Sequence, residues 1–153
     1  PKGTRSQLMM LDRYVGLVRE DMPLGPDGFT MERLSRTSRV EVIGSTGHDV
    51  VERTLADLNI RDMARPVTVN HFSVLPQIVI ETGFIGIVPG AAARDLVHRW
   101  PLRQVSLPFS MPQFEVRLCW SDRRTNSPAL HWFCESVMTA FASPPGPMTA
   151  LTR

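Results

Sequence analysis

Apolar residues recur along this chain with two different spacings, and each change of spacing marks a new element. The run from Val67 to Pro89 (VTVNHFSVLPQIVIETGFIGIVP) shows this most compactly. Val67 and Val69 predict a short strand leading into Asn70, His71 and Phe72. Ser73 is placed to cap a short helix that ends at Gly83, and Phe84 to Val88 form a second, nearly all-apolar strand closed by Pro89. A strand apolar on both faces must be covered on both faces, which predicts a mostly parallel open sheet with flanking helices in an α/β fold.

The other segments extend this pattern. Arg13 to Arg19 reads as a strand through Tyr14, Val15, Leu17 and Val18, followed by a turn-rich loop from Glu20 to Asp27 and one helical turn from Thr30 to Leu34. Arg39 to Gly44 alternates as a second strand. Val50, Val51, Leu55 and Leu58 recur at helical spacing, with Thr46 and Asp49 in an N-cap pattern and an end near Asn59. Ala91 to Val97 predicts another helix. Phe114, Val116, Leu118 and Trp120 fall on one face of a strand packed on one side. Ser127-Pro128 opens a last helix whose apolar stripe is Leu130, Phe133, Val137 and Phe141. The polar stretch Ser121 to Asn126 predicts a hinge toward a neighbouring domain.

Composition narrows the classes. With 153 residues, 42% hydrophobic and 21% charged, the chain can bury one sizeable core. No apolar run is long enough to predict a membrane span, and PKGTRSQLMML lacks the apolar core of a signal peptide. The formal charge is only +2 and the seventeen basic residues are scattered, which argues against nucleic-acid binding by these residues themselves. Cys119 and Cys134 match no metal spacing and are read as reduced core thiols of a cytoplasmic protein. The proline-rich 143–153 tail is expected to be disordered. A chain that begins with Pro rather than Met is expected to be processed, or cut from something longer.

In open sheets of this kind small ligands sit beyond the carboxyl ends of the strands. His71 lies at such an end, with Phe72 beside it as a ring for an aromatic ligand. Thr46, Gly47 and His48 occupy a strand-to-helix turn, where a hydroxyl, a cationic donor and free N–H groups favour a carboxylate. The competing readings are a capping turn with an exposed histidine and a structural His71. Ser45, His48 and Asp49 supply the residue types of a catalytic triad but crowd onto one turn. There is no G-x-S-x-G, Gly-rich phosphate loop or metal-ligand spacing, so no catalytic residue, no metal and no cofactor is assigned.

The order DRYVGLVRED, STGH, VNHFSVLPQIVIETGFIGIVP and FEVRLCWSDRRTNSPALHWFCESV resembles the effector-binding region of LysR-type transcriptional regulators, in the branch that responds to aromatic compounds. The likeness runs from about Arg5 to Ala142. It implies a periplasmic-binding-protein-like (type 2) subdomain at residues 11–121, with residues 1–10 and 122–142 as the remnant of a first subdomain. It further implies a small aromatic or hydroxylated acid held in a cleft by Thr46, Gly47, His48, His71 and Phe72, with Phe133 or Trp132 bordering that cleft and Trp120 in the core. The full-length protein would be a homo-oligomer reaching promoter DNA through an N-terminal domain absent here. The rival readings are a solute-binding protein for transport and a small α/β hydrolase.

Overall fold

The computed structural model describes residues 3–43, 48–58 and 67–142, with the side chain of His48 outside that set. The elements are β1 (Thr4–Asp12), β2 (Tyr14–Arg19), α1 (Met31–Arg36), β3 (Arg39–Val42), α2 (His48–Asp57), β4 (Val67–Val69), α3 (Leu75–Thr82), β5 (Ile85–Pro89), α4 (Gly90–Arg99), β6 (Leu102–Val105), β7 (Phe114–Ser121) and α5 (Pro128–Ala142). They form two compact units, Asp12–Gln113 and, among the described residues, 3–11 with 114–142.

The larger unit is built on a five-stranded sheet in the order β4-β3-β5-β2-β6. β3 is parallel to both β4 and β5, and β2 is antiparallel to both β5 and β6. Four strands therefore share one direction and β2 alone is reversed. Helices cover both faces. Val15, Leu17, Val40, Val42, Leu102 and Val88 pack with Leu75, Val79 and Ala93 of α3 and α4. Val18, Ile85 and Val105 pack on the other face with Phe29, Leu34 of α1, and Val51 and Leu55 of α2. The all-apolar reading of β5 has its cause here: Ile85 enters one layer and Val88 the other. Gly16 lets the reversed strand fit. A Cβ there would stand 2.6 Å from Val105 Cγ2 and 2.9 Å from Ile85 Cδ1, inside contact distance.

Local signals account for two helix ends. Thr30 caps α1 by accepting the Arg33 N–H. α3 ends at Gly83, whose φ of 71° suits glycine and whose N–H reaches the Val79 carbonyl at 3.0 Å. At its start, however, Val74 is the N-cap and no side chain caps the helix, so Ser73 does not have the role expected of it. Val74 and Leu75 instead donate to the His71 and Phe72 carbonyls, each at 3.3 Å. A turn satisfies the first N–H groups that a serine was expected to serve.

One charged cluster is buried in the α2 layer. Arg39 is only 5% exposed. Its guanidinium reaches Glu41 at 2.6 Å and Glu52 of α2 at 3.3 Å. Among the described residues its Nη1 has no hydrogen-bond partner. Burial, and then a hydrogen bond with Glu52, push the Glu41 carboxyl above the usual glutamate range despite the opposing Arg39 charge.

In the smaller unit β1 and β7 form a two-stranded sheet. Phe114, Val116, Leu118 and Trp120 are half-buried and alternate with exposed residues along β7. Cys119 falls on the outward face and is exposed, so it is not the core thiol that composition suggested. β7 pairs with β1 rather than joining the larger sheet, and the chain leaves the larger unit at Gln113 rather than in the polar stretch after Ser121. Asp122 opens a short 3-10 turn there, its N–H bonded to the Gly3 carbonyl at 2.9 Å and its carboxylate paired with Arg5 at 2.5 Å. α5 then carries Trp132 and Phe133, which are 69% and 53% exposed. The expected tail, 143–153, lies outside the described residues.

Candidate functional site

The candidate site grows from two neighbouring parallel strands. Val40, Glu41 and Val42 of β3 stand opposite Val67, Thr68 and Val69 of β4, and the Ile43 N–H bonds to the Val69 carbonyl at 2.9 Å. Both strands thus leave the sheet side by side at their carboxyl ends. β3 leads toward α2, which begins at His48. β4 leads through Asn70, His71 and Phe72 into α3. In a parallel pair, side chains just past adjacent carboxyl ends share one edge of the sheet.

His71 is exposed, while Phe72 is half-buried and packs against the core layer that contains α3 and α4. The turn between them and Leu75 is closed by the two backbone bonds described above, which place His71 at the rim and Phe72 toward the interior. Thr46, Gly47 and the side chain of His48 lie outside the described residues. Phe133 belongs to α5 of the smaller unit. Among the described residues no group of three or more His, Cys, Asp or Glu is arranged to hold a metal ion.

A feature with no local signature in the sequence is the carboxylate of Asp12, which is 7% exposed. It accepts the Arg13 N–H at 2.8 Å and, from 79 positions away, the Ala91 N–H at 3.0 Å. The Gly90 N–H donates to the Arg13 carbonyl at 2.8 Å. Asp12 therefore does for α4 what an N-cap residue does, although α4 has no side-chain cap from its own segment. Gly90 is required for this approach, since a Cβ there would lie 2.9 Å from Asp12 Oδ1. Asp12→Ala is expected to cost about 1–3 kcal/mol, because two partly buried donors lose their acceptor. The check is the urea midpoint of the variant at unchanged m-value. A midpoint matching wild type would show that water replaces the carboxylate there.

Comparison with known proteins places this geometry. The profile described as the LysR substrate binding domain matches residues 1–142. The transcriptional activator NahR of Pseudomonas putida is 26% identical over 134 residues, covering 87% of this chain and 44% of that protein. Nodulation protein D 1 of Bradyrhizobium diazoefficiens is 35% identical over 66 residues, 43% of this chain and 21% of that protein. The chain thus spans less than half the length of these curated relatives. Among solved structures, the regulatory domain of the transcriptional activator MexT from Pseudomonas aeruginosa aligns with a TM-score of 0.73 at 23% identity, covering 91% of this chain and 68% of that one. That likeness carries the fold: a periplasmic-binding-protein-like α/β architecture.

Proposed function

The chain belongs to the LysR substrate-binding domain family, and we propose that it senses a small organic acid, aromatic or hydroxylated, at the carboxyl ends of β3 and β4. The single observation carrying this reading is the parallel pairing of those strands, whose exits lead to His48 and His71. In the proposal the residues before α2 and the first N–H groups of that helix take the carboxylate, with Thr46, Gly47 and His48 as its contacts. His71 takes a second polar group, and Phe72, anchored on the core, offers a ring edge.

Binding acts by population shift. An acid that binds one conformation of the protein better than another biases that equilibrium by its differential affinity, with no chemical turnover. In the full-length protein that bias would reach promoter DNA through a region outside these residues, in a cytoplasmic homo-oligomer. No helix among the described residues is long and apolar enough to cross a membrane.

Calorimetric titration with a panel of aromatic carboxylates tests the site. His48→Ala and His71→Ala should each weaken the best ligand about tenfold or more, the loss expected for a hydrogen bond to a charged group. Wild-type affinity in both variants would show that the acid binds elsewhere.

A further inference from the structure

We propose that the larger unit carries a second binding site, for a small single-ring carboxylate, in the hollow lined by Arg13, Tyr14, Ser106, Phe109, Met111 and Gln113. The hollow has a volume of about 260 Å³. Pockets for drug-sized molecules run to about 300–1,000 Å³, so this one suits a single ring with a charged substituent.

Its place in the fold is distinct from the β3–β4 exits. Tyr14 opens β2 opposite Pro89, at the carboxyl end of β5. β6 runs with β3, β4 and β5, so Ser106 follows its carboxyl end. The hollow therefore opens on the carboxyl side of the sheet but at the β2–β6 edge, whereas β4 forms the opposite edge. Arg13 and Gln113 also stand beside the two points at which the chain passes between its units.

The chemistry of the lining fits an aromatic acid. Arg13 is exposed, and among the described residues no carboxylate forms an ion pair with it. The adjacent Asp12 carboxylate is turned to the Arg13 and Ala91 N–H groups instead. A guanidinium in this setting can take a carboxylate through two parallel N–H donors. Burial, and then the Asp12 charge, hold the Tyr14 phenol above its ordinary pKa. Tyr14, Phe109 and Met111 pack against the second core layer, which gives the apolar wall a rigid backing. A thioether and a phenyl group make that wall suited to the face or edge of a ring.

The test uses the whole chain and benzoate as probe, read by the methyl resonance of Met111, assigned with Met111→Leu. Benzoate should move this methyl saturably, while benzyl alcohol, with the ring but without the charge, should not. Arg13→Gln, at an exposed position, should weaken the response about tenfold or more. In His71→Ala the methyl should move as in wild type. No movement up to about 10 mM benzoate, well above a millimolar Kd, would overturn the proposal. An equal response in Arg13→Gln would overturn it as well. So would a response that vanishes in His71→Ala yet survives in Arg13→Gln, because the ring would then belong to the β3–β4 exits.

Discussion

Arg39→Ala is expected to destabilise the larger unit by about 3–5 kcal/mol, the cost of leaving a buried charge without its partner. In the native structure one guanidinium answers two carboxylates, at 2.6 Å to Glu41 and 3.3 Å to Glu52. Glu41 is itself only 9% exposed at its side chain, so little water can replace the lost cation. For a chain of 153 residues each kcal/mol shifts the thermal midpoint by about 2–4 °C, so a fall of about 10 °C is expected by circular dichroism. A fall of less than about 2 °C would mean that solvent reaches the carboxylates.

The same cluster makes stability depend on pH. Glu41 holds its proton more tightly folded than unfolded. The stability it contributes is complete below the unfolded glutamate pKa of about 4.3 and is lost as pH rises through the higher folded value. Glu41→Gln keeps a polar partner for Arg39 and removes the second negative charge. Its urea midpoint should therefore be flatter across that interval and no lower than wild type at neutral pH. A variant that instead loses midpoint as pH rises would assign the titration to another group.

Leu75→Ala is expected to cost about 2–5 kcal/mol, the range for truncating a fully buried leucine in a core that cannot collapse around the gap. Leu75 has no exposed surface and lies against the backbone of β5, 3.1 Å from the point where a Gly86 Cβ would stand. It is also the first residue of α3, immediately after the turn that carries His71 and Phe72. Its loss should thus loosen that turn as well as the core, read as faster hydrogen exchange at the Val74 and Leu75 amides. The neighbouring Val74→Ala, at a largely exposed position, should stay within about 0.5 kcal/mol of wild type. Equal effects from the two substitutions would show that α3 does not pack through Leu75.

The elements that could be read from spacing were those whose signals are local. The helix ending at Gly83, the apolar β5 and the alternating β7 each carry their pattern within a few residues, since side-chain period reports which faces a segment buries. β1 and β6 were not legible. β1 is polar and largely exposed over its first half, and β6 has only four residues, so neither shows a period. Ser73 was misread because a turn can satisfy the same N–H groups as a capping hydroxyl, and local chemistry does not choose between them.

The candidate site divides in the same way. That His71 follows a strand end is a statement about neighbours in the chain, and residue order alone supports it. That β4 lies beside β3, that β2 runs against the rest of the sheet, and that Asp12 caps a helix 79 positions away are facts of pairing. By itself, the sequence determined the α/β class, through its hydrophobic periods, and the family, through the order of its motifs. Tertiary structure alone decided which strands became neighbours and which charges were buried together. Those outcomes depend on contacts between distant residues, whose free energy exists only once the chain has closed upon itself.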